Sequence, residues 1–220
     1  MTAPPRYRDL EGLRREFRRK KDRIRVRLAH FRRIGRMPDA ALFEELCFCL
    51  LAIQTKARAS DAALRGIVAG GDLWTGDERT LARHLRHRVR FHNHKAGYIV
   101  RARRRFFPDG TPKLRAALNR SPSSQGARAW LVSEIDGFGF KEASHFLRNI
   151  GRGEDLAILD RHVLRNLVRH GVIRRLPTSL TPRRYLAIET RMRAFAATVG
   201  IPLGALDLLF WSRETGEIFK

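Results

Sequence analysis

The sequence predicts an all-α fold, and three observations support this. Apolar residues recur at the three- and four-residue spacing of amphipathic helices along most of the chain. The alternation of β-branched apolar residues with polar residues, which indicates β-strands, is absent from nearly all of the sequence. The apolar fraction of 43% is that of a globular protein. We therefore predict about ten helices, with no internal repeat and no low-complexity segment.

The chain is strongly basic, and this charge indicates which class of partner it binds. Its 220 residues allow one domain or two small lobes, enough to bury a core without disulfides or metal clips. Lysine and arginine total 45 against 22 acidic residues, giving a net charge of +23. A genomic preference for arginine codons explains why arginine outnumbers lysine. It does not explain why basic residues outnumber acidic ones by two to one. The charge favours nucleic acid as a partner, with binding that weakens steeply in salt.

The two cysteines exclude several metal centres. Cys47 and Cys49 flank Phe48 in an apolar run, so we predict that they belong to the core. Two cysteines cannot supply four ligands to a zinc or iron–sulfur site. Neither a signal peptide nor a long apolar run is found. The expectation is a soluble, cytoplasmic protein that has no membrane partner.

The N-terminal part of the chain predicts a succession of helices. Residues 6–36 form an amphipathic pattern with a basic outer face. Residues 41–55 are apolar almost all round, which predicts a buried central helix. A helix is predicted over residues 60–71, where two glycines close it. Asp77 or Thr80 then caps the next helix.

A histidine- and arginine-rich stretch follows at residues 86–105. Four histidines lie in or just before it: His84, His87, His92 and His94. A metal site is disfavoured because so many neighbouring arginines repel a cation, so we predict a polar loop and helix that face DNA. The remaining predicted helices are these: 114–118, 127–135, 144–150, one opening at Asp160, one through Tyr185 and Phe195, and 203–211.

The residues that carry chemistry cluster in 131–171. Gly137 and Gly139 form a tight turn between two helical patterns, and their spacing leaves backbone N–H groups open to an anion at a helix N-terminus. Lys141 opens the second helix, and Asp160 follows nineteen residues later. Taken singly, Lys141 is typical of a solvated surface lysine, and Asp160 of a helix N-cap. Together they are the equipment for covalent chemistry on a nucleic-acid backbone.

This region resembles a known superfamily. The turn is similar to the helix–hairpin–helix motif, and residues 160–165, DRHVLR, match the D-x-H-V-x-R pattern that follows the hairpin in helix–hairpin–helix DNA glycosylases. Within that superfamily the chain resembles the small archaeal and bacterial class of 8-oxoguanine DNA glycosylase/AP lyases. The resemblance is specific over 131–171 and in the terminal WSRETGEIFK, and looser over 41–56 and 89–100.

The resemblance implies a two-lobed helical fold with the active site in the cleft between the lobes. Residues 36–153 would form a core lobe that ends in the helix–hairpin–helix. Residues 1–35 and 154–220 would form a second lobe built from both chain ends. The iron–sulfur cluster of endonuclease III-like relatives and the N-terminal β domain of the larger eukaryotic-type enzymes have no counterpart in the sequence.

The resemblance also assigns roles to residues. Lys141 matches the catalytic lysine, whose neutral amine attacks C1′ of the damaged nucleotide and forms a Schiff base. Asp160 matches the catalytic aspartate, which stabilises the positive charge on the sugar and helps to move protons. Trp211 corresponds to an aromatic that stacks on the extruded base, with ordinary core packing as the alternative. Lys220 corresponds to a terminal lysine that helps to distinguish 8-oxoguanine from guanine.

Further positions follow from the same resemblance. Gln54 corresponds to the residue that probes the gap or the orphan base, with a polar helix end as the alternative. The hairpin and the segment after it would bind DNA through Gly137, Gly139, His162 and Arg165. Backbone carbonyls would hold a structural Na⁺ or K⁺ at Ser133, Ile135 and Phe138, and no other cofactor is implied.

We therefore predict a monomeric DNA repair enzyme. It would excise 8-oxoguanine from double-stranded DNA and nick the AP site by β-elimination, acting in the cytoplasm at the nucleoid. Three alternatives remain open. One is a non-catalytic helix–hairpin–helix DNA-binding protein, and another is a glycosylase for a different oxidised base. The third is a basic protein that binds rRNA and has no preference for damaged DNA.

Overall fold

The computed structural model describes residues 7–219, and every regular element in that range is helical. The described residues form twelve α-helices and one short 3-10 helix, so the all-α prediction is confirmed. The α-helices are α1 Leu10–Ile34, α2 Asp39–Leu51, α3 Ala57–Ala69, α4 Asp72–Thr75, α5 Glu78–Leu85, α6 His92–Phe106, α7 Leu114–Asn119, α8 Ser124–Glu134, α9 Phe140–Asn149, α10 Arg161–Arg169, α11 Pro182–Val199 and α12 Leu203–Thr215. The 3-10 helix is Pro108–Gly110.

The observed helices differ from the predicted ones at α3, α4 and the start of α5. α4 spans four residues, too few to show a helical period in the sequence. α3 begins at Ala57, three residues before the predicted start at Ser60. α5 is capped by Asp77, whose carboxylate accepts the N–H of Thr80 at 2.7 Å, so Thr80 is not the cap.

The central helix is α2, which packs against α3, α6, α7 and α9. Cys47 and Cys49 are fully buried in it, as predicted, and burial raises the pKa of the Cys47 thiol well above its ordinary value. The buried Glu45 accepts a hydrogen bond from Asn149 Nδ2 at 2.6 Å. This bond ties α2 to α9, the second helix of the hairpin.

The two ends of the chain pack together. α1 lies along α12, α9 and α11. The Arg14 guanidinium donates to the carbonyls of Thr198 and Val199 at the C-terminal end of α11, each at 3.1 Å, where the helix dipole favours a cation. Lys20 Nζ donates to Ser212 Oγ of α12 at 3.0 Å. The outward face of α1 is left basic, as predicted, with these exposed side chains: Arg15, Arg18, Arg19, Lys21, Arg23, Arg25, Arg32 and Arg33.

Across residues 7–219, no single helix has the length and apolar character needed to cross a membrane. α11 and α12 meet that test only as a pair, and the chain bends by 94° between them.

Candidate active site and DNA interface

The hairpin between α8 and α9 depends on Gly137. Its φ of +85° lies in the left-handed region that L side chains rarely adopt. A Cβ at this position would also lie 2.6 Å from the ring of Tyr98 on α6. Both the backbone conformation and the packing therefore require glycine, and the turn is closed by a hydrogen bond from Phe138 N to Ile135 O at 3.0 Å.

The amides of the hairpin are only partly open, which modifies the expectation from the sequence. The N–H of Gly139 donates to the carboxylate of Glu142 at 3.3 Å. A phosphate at this helix N-terminus must therefore displace that carboxylate or use the following amides. Glu142 is the third residue of α9, where a carboxylate commonly reaches back to the residue before the helix.

Lys141 lies in the first turn of α9 with its side chain 24% exposed. Its Nζ is 3.6 Å from Glu142 Oε1. Lys141 also acts electrostatically on two buried groups from other helices, Lys95 of α6 and Asp207 of α12. Its amine is thus partly sheltered from solvent, and its charge acts on buried groups of α6 and α12.

Asp160 is the N-cap of α10, as the sequence predicted. Its Oδ1 accepts the N–H of Val163 at 2.8 Å, and its own backbone is extended. The capping bond fixes the orientation of the carboxylate. The negative charge of Asp160 also contributes to the raised pKa of the Asp207 carboxyl, and the charge of Lys141 opposes it. Asp207 is therefore under the electrostatic influence of both predicted catalytic residues.

The segment before Asp160 is held by an unusually polar set of contacts. Residues 156–159 are buried, and the Tyr185 hydroxyl of α11 donates to the Ala157 carbonyl at 2.7 Å and accepts the N–H of Leu159 at 3.2 Å. Ala157 N–H donates to Glu189 Oε2 at 2.8 Å. Glu189 in turn pairs with Arg128 of α8. The approach to Asp160 is thereby fixed from both α8 and α11.

Asp207 is a site residue that the sequence did not single out. It is 4% exposed, and Arg148 Nη1 lies 3.6 Å from its carboxylate. Burial raises the pKa of Asp207 to about 6, while Arg148 and Lys141 oppose that rise and Asp160 adds to it. The lone carboxylate within the apolar run LGALDLLFW is the sequence signal that could have identified it, because a buried charge needs a partner.

Lys95 is a second such residue, and it shapes the loop between α2 and α3. Its Nζ donates to the carbonyls of Leu51 and Ile53, each at 2.7 Å, and to Thr55 Oγ1 at 2.9 Å. Burial, followed by the charges of Arg90 and Lys141, lowers the pKa of Lys95 to about 8. Its contacts lie on both sides of the exposed Gln54 in sequence.

Gln54 is displayed by that loop rather than by a helix. Its φ of +49° lies in the left-handed region, which is uncommon for a residue with a side chain. The conformation is sustained by the bonds that Lys95 makes to the flanking residues. An exposed side chain on strained backbone is typical of a functional loop. α2 ends at Leu51, so Gln54 lies in the turn that follows the helix.

Trp211 lies in the last part of α12 and is partly exposed. Its ring centroid is 6.4 Å from that of Phe219, with the planes at 34°. Partial exposure leaves part of the indole accessible to a ligand, while the rest packs against the protein. Lys220 lies outside the described residues.

His162 and Arg165 of α10 both point towards Glu214 of α12. His162 Nδ1 and Arg165 Nη1 each lie 3.7 Å from Glu214 Oε2. The His162 side chain is 18% exposed, whereas that of Arg165 is 55% exposed. Arg165 is therefore the more accessible of the two predicted DNA contacts.

The predicted cation ligands suit a cation in part. Ser133, Ile135 and Phe138 surround the C-terminal end of α8, where the helix dipole is negative. The Ile135 carbonyl already accepts the N–H of Phe138, and the Ser133 hydroxyl donates to Trp130 O at 2.8 Å. A carbonyl has a second lone pair, so the Ile135 oxygen can accept a further partner beside the N–H of Phe138. Within residues 7–219, no cluster of three or more histidine, cysteine or carboxylate side chains is arranged to hold a metal.

A family model described as 8-oxoguanine DNA glycosylase matches residues 24–201. An 8-oxoguanine DNA glycosylase/AP lyase of Fusobacterium nucleatum is 42% identical over 200 residues, covering 90% of this chain and 91% of the relative. An enzyme of the same description from Methanocaldococcus jannaschii is 35% identical over 201 residues, with 91% and 93% covered.

Solved structures are similar over almost the whole chain. The crystal structure of the 8-oxoguanine DNA glycosylase of Methanocaldococcus jannaschii matches with a TM-score of 0.85 at 33% identity, covering 96% of this chain and 95% of that one. That of Thermotoga maritima matches with a TM-score of 0.84 at 36% identity, covering 96% and 98%. A complex of the Methanocaldococcus jannaschii enzyme with 15mer DNA containing 8-oxoguanine matches with a TM-score of 0.85 at 33% identity, covering 95% and 100%.

Proposed function

We infer the roles of individual residues from the premise that this chain belongs to the 8-oxoguanine DNA glycosylase family. It is a DNA repair enzyme with the activities of an 8-oxoguanine DNA glycosylase and an AP lyase. The observation that supports the assignment of residues is that Lys141 lies in the first turn after the hairpin and Asp160 caps the next helix, with both charges acting on the buried Asp207.

Lys141 is the proposed nucleophile. Its neutral amine attacks C1′, the C1′–N9 bond breaks, and the base leaves with the bonding electrons. Opening of the C1′–O4′ bond then gives a protonated Schiff base between Lys141 and the sugar. Partial burial supports this role because it shelters the amine from bulk water while leaving it accessible to a bound nucleotide.

Strand cleavage follows from the same intermediate. The iminium acidifies C2′, a base removes a C2′ proton, and the C3′–O3′ bond breaks to release the phosphate-bearing strand. Water hydrolyses the remaining imine and frees Lys141. No external oxidant or reductant is consumed.

The carboxylates supply the electrostatics. Asp160 stabilises the positive charge that develops on the sugar, and its capping bond holds it in place for that purpose. Asp207 has a pKa of about 6, so its carboxyl is partly protonated near neutral pH and can donate or accept a hydrogen bond in the site.

Base and DNA recognition involve a second set of residues. Trp211 stacks on the extruded base, Lys220 helps to distinguish 8-oxoguanine from guanine, and Gln54 probes the gap left in the duplex. The proposed DNA contacts are Gly137, Gly139, His162 and Arg165. Loop strain at Gln54 and the partial exposure of Trp211 support these roles.

The proposed substrate is double-stranded DNA that contains 8-oxoguanine or AP sites, bound by a monomer in the cleft between two lobes. The lobes are residues 36–153 and residues 1–35 with 154–220, and packing of α1 on α11 and α12 supports the pairing of the chain ends. The proposed place of action is the nucleoid in the cytoplasm. The carbonyls of Ser133, Ile135 and Phe138 would hold Na⁺ or K⁺, which would add positive charge beside a bound phosphate.

Borohydride trapping tests the assignment. Incubation of the enzyme with a duplex containing 8-oxoguanine and sodium borohydride should give a covalent adduct, because the reductant converts the Schiff base to a stable amine. Matched duplexes containing guanine, an AP site or other oxidised bases define the lesion range. Tight binding without an adduct on any duplex would favour a non-catalytic DNA-binding protein. Stronger trapping on another oxidised base would reassign the preferred lesion.

A further inference from the structure

The segment that follows α12 is held against α3 by one arginine. Arg58 Nε donates to Glu217 Oε2 at 2.9 Å, and a second nitrogen of the same guanidinium contacts the same oxygen. The guanidinium carbon lies 4.2 Å from the centroid of the Phe219 ring, in cation–π geometry. Arg27 of α1 approaches the same ring at 5.9 Å. Phe219 is 8% exposed as a result.

These contacts extend to Trp211. The Phe219 ring lies 6.4 Å from the Trp211 ring, so a chain of contacts runs from Arg58 through Phe219 to Trp211. An aromatic pair at this separation restricts the orientation of both rings. The plane of the partly exposed indole therefore depends on where Phe219 is held.

Neither helix stability nor core packing explains why position 58 is an arginine. It is the second residue of that helix, where the dipole disfavours a cation. Its side chain is 62% exposed, so ordinary core packing does not account for it either. The position is four residues after Gln54, which places Arg58 at the junction of the loop that bears Gln54 and the segment that ends at Phe219.

We propose that Arg58 is a positioning residue for base recognition, which holds Phe219 against Trp211 and so fixes the surface on which the extruded base stacks. This rests on the proposed stacking role of Trp211. An AP site has no base to stack. Arg58 therefore matters for removal of 8-oxoguanine and not for cleavage at a preformed AP site.

The experiment compares two single-turnover rates for the full chain, release of 8-oxoguanine from a duplex and cleavage of the same duplex with an AP site. Arg58→Ala should slow base release by about tenfold, equivalent to a modest loss of transition-state binding, and leave AP-site cleavage within about twofold. Arg58→Lys, which keeps the charge but loses the planar guanidinium, should lie between Arg58→Ala and wild type. Phe219→Leu should reproduce the effect of Arg58→Ala.

Arg65→Ala is the matched control, because Arg65 lies on the same helix and pairs only locally with Asp61 at 2.8 Å. It should leave both rates unchanged. If Arg58→Ala behaves like Arg65→Ala, or lowers both rates equally together with the melting temperature, the inference is overturned. A wild-type enzyme that leaves 8-oxoguanine in place while retaining AP-site cleavage would overturn both the inference and the base-recognition part of the proposed function.

Discussion

Arg128 of α8 and Glu189 of α11 form a buried ion pair with two parallel hydrogen bonds, Nη1 to Oε2 at 2.6 Å and Nη2 to Oε1 at 3.0 Å. Their side chains are 1% and 2% exposed. Glu189 also accepts the N–H of Ala157, three residues before Asp160. The helix that leads into the hairpin is thus joined to the segment that carries Asp160. The placement of Lys141 relative to Asp160 depends on this pair.

Breaking the pair should destabilise the protein strongly. Glu189→Gln leaves Arg128 charged and buried without its counter-ion, which costs about 3–5 kcal/mol. Urea unfolding followed by circular dichroism measures the change. Asp22→Asn, which removes the partner of the exposed Arg25, is the control and should cost less than about 1 kcal/mol. Equal losses in the two variants would contradict the structural importance of the buried pair.

Removing the amine of Lys141 should separate chemistry from binding. Lys141→Gln cannot form a Schiff base, so we expect loss of borohydride trapping and of both activities, by at least about a thousandfold. Binding to a duplex containing 8-oxoguanine should persist in a gel-shift assay. Lys113→Gln, at an exposed lysine before α7, should retain full trapping. Strand cleavage by Lys141→Gln would rule out Lys141 as the nucleophile.

The free energy of unfolding should depend on pH through the ionisation of Asp207. Burial raises its pKa from the ordinary 3.8 to about 6, so the folded protein binds this proton more tightly than the unfolded chain. The resulting stabilisation is complete below about pH 4 and is lost as the pH rises through about 6, a change of about 3 kcal/mol. Asp207→Asn cannot ionise and should lack this component.

The measurement is urea unfolding of wild type and Asp207→Asn at pH 4 and pH 7. The cost of leaving Arg148 without its partner carboxylate is common to both pH values, so the difference between the two measurements isolates the titration of Asp207. Between pH 4 and pH 7 the stability of the variant relative to wild type should rise by about 2 kcal/mol, most of the full linkage. Asp22→Asn, at a carboxylate that is 89% exposed, is the control. If the free energy of unfolding of Asp207→Asn relative to wild type is the same at pH 4 and pH 7, Asp207 is charged at both pH values and the prediction is wrong.

Glycine at position 137 should be indispensable for the hairpin. Gly137→Ala introduces a Cβ in the left-handed region and 2.6 Å from the Tyr98 ring, which we expect to cost about 2–4 kcal/mol and to weaken DNA binding. Gly200→Ala is the control, because its φ is +72° but nothing lies within 4 Å of the added Cβ. It should cost about 1 kcal/mol. Similar losses at both positions would show that backbone strain alone matters and that contact with Tyr98 does not.

Local features of the sequence determined the fold class, the buried α2 and the hairpin. They also determined Asp160 as an N-cap, because capping is a contact between residues three apart. Helical periodicity and glycine spacing are properties of residues that lie close together in the sequence. The same locality explains the missed α4, whose four residues are shorter than any readable period.

Contacts between segments that lie far apart in the sequence could not be predicted in this way. Lys95 lies 40 to 44 residues from the atoms that it binds, and Arg58 lies 159 residues from Glu217. Nothing in the local pattern around Asp207 specifies that Arg148, Asp160 and Lys141 surround it. The physical reason is that burial and electrostatic interaction depend on distance in space, which is set by how whole helices pack. A sequence pattern shows that a charge within an apolar run needs a partner, but the packing of α9, α10 and α12 selects that partner.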